Sequence, residues 1–131
     1  MKVAVVGSRS IEYDRLQKRA YELLCEYIPM NCTEIVSGGA VGVDRLAEIY
    51  ARKHNIPVMI FHPDYDYHGK RAPILRNDSI VDRADYVVAF WDGISHGTAY
   101  TIATCIKNGV PVRVVSVEEC EGKDVKAKTD T

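Results

Sequence analysis

No apolar run among the 131 residues approaches the ~18 needed to span a bilayer. Met1 and Lys2 open directly into a strand-like run rather than a leader, so the sequence predicts no signal peptide and a cytoplasmic protein. An excess of charge of one sign is also missing. The 17 Lys and Arg are balanced by 18 Asp and Glu, and a net charge of -1 spread in mixed order argues against a duplex nucleic-acid binder, which is usually basic on one face. The electrostatics favour a small ligand. There is no Cys-x-x-Cys pair either. Cys25, Cys32, Cys105 and Cys120 lack metal or disulfide spacing, three of them sit in apolar surroundings, and free buried thiols are expected.

What is present is enough apolar content, 47%, for one core in a chain of single-domain length. Residues 2–7 form a nearly continuous β-branched run, as in a strand buried on both faces. Leu16, Ala20, Leu23, Leu24 and Tyr27 then recur at helical spacing, which predicts a helix over 15–28. Strand and helix go on alternating. The pattern predicts a strand at 33–37, a helix at 42–54, a strand at 56–61, a polar loop at 62–72, a short helix at 73–83, a strand at 85–90, a helix at 97–107 and a strand at 110–115.

Two helix-to-strand junctions repeat one design, with Asn55 before Pro57 and Gly109 before Pro111. Asn and Gly suit the left-handed position after a helix, and Pro at the start of a strand removes no needed ladder bond. Strands separated by helices imply right-handed crossovers, and so an α/β Rossmann-like three-layer sandwich with a five-stranded, mostly parallel sheet. The domain is read as residues 1–117. Residues 118–131, charged and poor in large apolar side chains, are read as a mobile tail.

Three glycine-rich turns sit where strands end: residues 6–9 (Val-Gly-Ser-Arg), 37–44 (Ser-Gly-Gly-Ala-Val-Gly-Val-Asp) and 91–98 (Trp-Asp-Gly-Ile-Ser-His-Gly-Thr). The last two lead directly into helices, where backbone N–H groups and the helix dipole favour an anion. In parallel sheets the ligand crevice lies beyond the carboxyl ends of the strands where the strand order reverses, which here falls between the first and fourth strands. Gly7, Ser8 and Arg9 supply a glycine, a hydroxyl and a guanidinium there. Ser37, Gly38 and Gly39 open the second turn, and Asp44 is either a residue favoured by the dipole or an acceptor for a ribose hydroxyl. The third turn combines Gly93, Ser95, Gly97 and Thr98, pairing close backbone approach with several donors.

The positive charge is concentrated at Lys70, Arg71 and Arg76, and Arg76-Asn77 follows Ile74-Leu75 in a position to face inward. His62, Asp64, Asp66 and His68 alternate like metal ligands, but no second cluster completes a site, so neither metal nor cofactor is expected. Trp91 is left open between stacking on a base and closing the core.

The stretches Val5 to Arg9, Val36 to Asp44, Pro73 to Asn77 and Ala84 to Thr98 together resemble the SLOG superfamily, in its YspA/YpsA-related branch. That superfamily also holds the LOG phosphoribohydrolases, DprA-type DNA-processing proteins and sensors of nucleotide-derived signals. The resemblance implies a Rossmann-like fold and assigns phosphate and ribose contact to Gly7, Ser8, Arg9, Gly38, Gly39, Arg76, Asn77, Gly93, Gly97 and Thr98. It departs from the LOG enzymes at one point. Their Gly-Gly-x-Gly-Thr signature is followed by a glutamate, whereas here Asp92 replaces the first glycine and Thr98 is followed by Ala99, Tyr100 and Thr101.

The function expected is therefore binding or sensing of a nucleotide or ADP-ribose-like phosphate ligand. The alternative is a LOG-like nucleoside 5'-monophosphate phosphoribohydrolase, with Asp92 or Asp44 as its carboxylate. Relatives are commonly dimeric or larger, and apolar faces on the helices at 15–28 and 97–107 leave a homodimer or higher homo-oligomer open.

Overall fold

A computed structural model of the chain describes residues 1–8, 11, 14–39 and 42–120. Five strands form one all-parallel sheet in the order β3-β2-β1-β4-β5, built from β1 (Lys2–Gly7), β2 (Glu34–Ser37), β3 (Val58–Ile60), β4 (Tyr86–Trp91) and β5 (Val112–Ser116). The central pair runs in register from Val3 opposite Tyr86 to Gly7 opposite Phe90. Successive side chains in a strand point to opposite faces, and the core divides accordingly. Val3, Val5, Ile35, Val88 and Phe90 pack against α1 (Asp14–Tyr27) and α2 (Val43–Lys53). Ala4, Val6, Val36, Val87 and Ala89 face the other way, against Ile80 and Val81 of α4 (Ala72–Arg83) and Cys105 of α5 (His96–Asn108). The fold is thus the α/β three-layer sandwich expected from the alternation.

The two repeated junctions close as the sequence implies. Asn55 has φ 55° and Gly109 φ 72°. In each, the amide one residue further on reaches back across the helix end, Ile56 N–H to the Ala51 carbonyl at 2.8 Å and Val110 N–H to the Cys105 carbonyl at 2.9 Å. This pattern satisfies carbonyls that the helix itself leaves without partners.

Two expectations are corrected. The polar loop at 62–72 contains a helical turn, α3 (Tyr65–His68), followed by a 3-10 turn over Gly69–Arg71. Asp64 starts it by accepting from Tyr67 N–H at 3.1 Å, an N-cap that the loop's polar composition hid. The stretch read as a tail from residue 118 opens in a helix. Val117–Cys120 form α6, Cys120 is buried in the core, and Ser116 and Glu119 make a reciprocal capping box: Ser116 N–H donates to Glu119 Oε2 at 2.9 Å and Glu119 N–H to Ser116 Oγ at 3.3 Å. Residues 121–131 lie outside the described residues. The four cysteines are free thiols, with Cys32, Cys105 and Cys120 buried and Cys25 exposed, and burial pushes the Cys32 and Cys105 thiols up from their ordinary pKa.

Candidate functional site

The chain leaves β1 toward one face of the sheet and β4 toward the other, and where these exits diverge a cleft of about 300 Å³ opens beyond the strand ends. Gly7, Ser8, Gly38, Asp44, Arg76, Asn77, Ser95, Gly97 and Thr98 all line it. Ser37, Gly39, Asp92 and Gly93 are not in this lining. Arg9 falls outside the described residues, as do Ala40 and Val41 of the second turn.

Ser8 joins the first and third turns. Its backbone N–H donates to the Phe90 carbonyl at 2.9 Å, its hydroxyl accepts from Asp92 N–H at 3.2 Å and donates to Thr98 Oγ1 at 3.4 Å, and the residue is 3% exposed. Thr98 is 7% exposed and lines the cleft, with the Ser8 hydroxyl as its hydrogen-bond partner. Around it, α5 starts without a side-chain cap, so the first-turn N–H groups also lack intrahelical acceptors.

The third turn holds its shape with its own side chains. Asp92 Oδ1 accepts from Ile94 N–H at 2.9 Å and Ser95 N–H at 2.7 Å, and Oδ2 accepts from Ser95 Oγ at 2.8 Å. Asp92 is therefore an Asx-turn residue that shapes the loop. Trp91 closes the same turn, donating its indole N–H to the Ser95 carbonyl at 3.0 Å, and it lies outside the cleft lining.

On the opposite wall Arg76 reaches across the cleft. Its Nη1 donates to the Gly38 carbonyl at 2.7 Å and more weakly to the Phe61 carbonyl at 3.5 Å, while Nε donates to Asn77 Oδ1 at 2.8 Å. Nη2 has no acceptor among the described residues. Asn77 thus orients the arginine. Gly38 lies directly beneath: a Cβ there would stand 2.5 Å from Arg76 Nη1 and 3.1 Å from Asp44 Oδ2, so the glycine makes room for a cation and a carboxylate side by side. Ser37, fully buried, braces the turn by accepting from Gly39 N–H at 3.2 Å.

Several lining residues went unnoticed in the sequence. Pro73 and Ile80 share the inward face of α4 with Arg76 and Asn77, at spacings that the helical period explains. Thr101 lies one turn beyond Gly97 and donates its hydroxyl to the Gly97 carbonyl at 3.0 Å. Three of the four residues with metal-like alternation, His62, Asp64 and His68, line a second cavity that shares Arg76, and Asp66 does not. Among the described residues no three His, Cys, Asp or Glu side chains are grouped to hold a metal ion, and no helix is long and apolar enough to cross a membrane.

An all-parallel α/β sheet with a polar, glycine-lined crevice at its central crossover defines a Rossmann-like protein. Residues 1–68 match the model of the YspA, cpYpsA-related SLOG family, and the chain belongs to that family. The Gene 61 protein of Mycobacterium phage D29 is 36% identical over 84 residues, which cover 60% of this chain and 67% of that protein. Among solved structures, DNA processing protein A from Helicobacter pylori, described for its single-stranded DNA binding mode, superposes with a TM-score of 0.66 at 22% identity. That match covers 87% of this chain and 64% of the other, so the chain spans less than two thirds of its structural neighbour. At that identity the likeness shows the fold.

Proposed function

We propose that the chain binds a nucleotide or ADP-ribose-like ligand through its phosphate, in the cleft between the ends of β1 and β4. The observation that carries this reading is the buried Thr98 hydroxyl lining the cleft beside the uncapped start of α5, with the Arg76 guanidinium in the same lining. A phosphate requires several donors at close approach, and here hydroxyl, backbone and guanidinium donors come from three separate elements. Asp44, 7% exposed beside Gly38, adds a carboxylate suited to a ribose hydroxyl.

Hydrolysis of a nucleoside monophosphate is the second reading, and the presence of the Asp44 carboxylate in the lining favours keeping it. Asp92 is the weaker candidate, because its two oxygens take three bonds within the turn. Binding without turnover is preferred, since N–H and hydroxyl donors stabilise an anion and do nothing for the positive charge that develops on the ribose. The near-neutral charge favours a small ligand over a nucleic acid. A homo-oligomer paired through α5, whose Ile106 is exposed, and a cytoplasmic setting belong to the same proposal.

A panel of AMP, GMP, ADP-ribose and a single-stranded oligonucleotide, followed by thermal shift and calorimetry, tests the assignment. A ligand at about 100 times its Kd adds roughly 2.7 kcal/mol and raises Tm by several degrees. A flat response to every nucleotide by both methods removes the reading, and a response to the oligonucleotide alone replaces it. Chromatography of AMP and GMP incubations should show no base release above the protein-free control. Release abolished by Asp44→Asn installs the hydrolase.

A further inference from the structure

A second cavity, of about 370 Å³, lies between the end of β3 and the outer side of α4 and shares Arg76 with the cleft. That volume is within the range of small-molecule pockets. Its walls include Phe61, His62 and His68, three flat rings, with Leu75 of α4 as an aliphatic side. The rings adjoin the second glycine turn. A Cβ on Gly39, whose φ is +71°, would stand 2.7 Å from His62 Cε1, so the imidazole packs directly on the backbone of the turn that borders the cleft.

Besides Arg76 and the two imidazoles, this cavity carries two carboxylates, Asp64 and Asp78, which the cleft lining lacks. Asp64 uses Oδ1 to cap α3 and Asp78 uses Oδ1 to accept from the Tyr100 hydroxyl at 2.8 Å, while the second oxygen of each has no partner among the described residues. Two carboxylates with spare acceptor oxygens repel a phosphate. They suit a neutral group that donates hydrogen bonds, such as an exocyclic amine. Flat ring walls suit a planar heterocycle, because every base presents a π-face.

Building on the nucleotide reading above, we propose that this cavity is the base subsite, taking an amino-bearing nucleobase whose phosphate lies in the cleft on the other side of Arg76. Arg76 is then the partition between the two compartments. The two carboxylates on the cavity side favour the base's amino group there and the phosphate among the donors of the cleft.

Calorimetric titration of AMP, IMP and ribose 5-phosphate into the full chain and into Ser79→Phe tests this. Ser79 is exposed on α4, lines the cavity and, among the described residues, bonds the Leu75 carbonyl alone, so a phenyl ring there fills the space without entering the core. The expected result is that the natural chain binds AMP about tenfold more tightly than ribose 5-phosphate, with IMP in between. In S79F, AMP should fall to the affinity of ribose 5-phosphate, which itself stays unchanged. His62→Ala, which removes a wall instead of filling the space, should narrow the same gap and covers the case of S79F failing to fold. Equal affinities for AMP and ribose 5-phosphate in the natural chain, or a variant that weakens both alike, overturns the base subsite and leaves the phosphate site standing. Binding of neither compound removes both.

Discussion

At Gly38 and Gly39 an added Cβ would collide with Arg76 and His62, whereas at Gly93 and Gly97 it would meet nothing within 4 Å. Both turns are dense in glycine and both precede a helix. The turn after β2 needs glycine because other parts of the protein close over it, and Gly7 is similar, with a Cβ there only 2.7 Å from Val43 Cβ. In the turn after β4, Gly93 is set by its φ of +81° and Gly97 by no neighbour at all. The same sequence signal thus reports packing at one wall of the cleft and open approach at the other. Gly97 is where the ligand-facing explanation stands without competition from packing.

The largest effect is expected at the closed wall. Arg76→Ala removes the cleft's oriented guanidinium and should cost about 1.5–3 kcal/mol in nucleotide binding, read by calorimetry, with the fold retained by circular dichroism. Unchanged affinity would mean that Arg76 serves only to lock Gly38, and the contrast between the two walls would then lie in packing alone. Next in size is stability. Gly7→Ala forces a methyl against the buried, β-branched Val43 and should cost roughly 1–3 kcal/mol in denaturant unfolding. Gly97→Ala should stay within about 0.5 kcal/mol of the natural chain while weakening nucleotide binding. Equal stability losses at the two positions would erase the distinction between closed and open glycines.

A smaller effect is expected from the turn's internal brace. Asp92→Ala leaves the Ile94 and Ser95 amides without their acceptor and should lower stability by about 0.5–2 kcal/mol, whereas Asp92→Asn, which keeps one carbonyl oxygen, should cost less. Identical losses in the two variants would show that the brace depends on charge.

The smallest effect is remote from the cleft. Glu34 accepts from Arg83 Nε at 2.7 Å and Nη2 at 2.9 Å, and this hydrogen bonding holds its carboxyl below the ordinary glutamate pKa. Because the folded pKa is the lower one, the pair's stabilisation is present above the unfolded pKa and is lost as pH falls through the folded value. Glu34→Gln should therefore flatten the acid limb of a stability–pH curve and leave ligand affinity untouched. A limb of unchanged steepness would show that the pair contributes nothing measurable, as surface pairs often do not.

The sheet was legible because its causes are local. A β-branched run identifies β1, and its alternation already separates Val3 and Val5 from Ala4 and Val6, which the folded chain sends to opposite layers. Asn55 and Gly109 mark helix ends because few residues tolerate a left-handed backbone. The cleft residues were legible as a group for a related reason: the carboxyl ends of parallel strands all lie along one edge of the sheet, whatever the details of each turn. The Ser116–Glu119 capping box was also local, yet charged composition masked it, since polarity alone does not separate a tail from a capped helix.

Roles within the cleft could not be read in this way. Arg76 finds the Gly38 carbonyl 38 residues away, and the Ser8 hydroxyl meets the Asp92 amide 84 residues away, contacts that exist only once β1 lies between β2 and β4. The sequence by itself determined the five strands, the longer helices between them and the strand ends where the cleft opens, because backbone preference and hydrophobic period act over a few residues. Tertiary structure alone decided that Arg76 reaches the Gly38 carbonyl and that Ser8 joins Asp92 and Thr98. A hydrogen bond depends on distance and angle between groups, and for groups far apart in the chain only the packed sheet sets those.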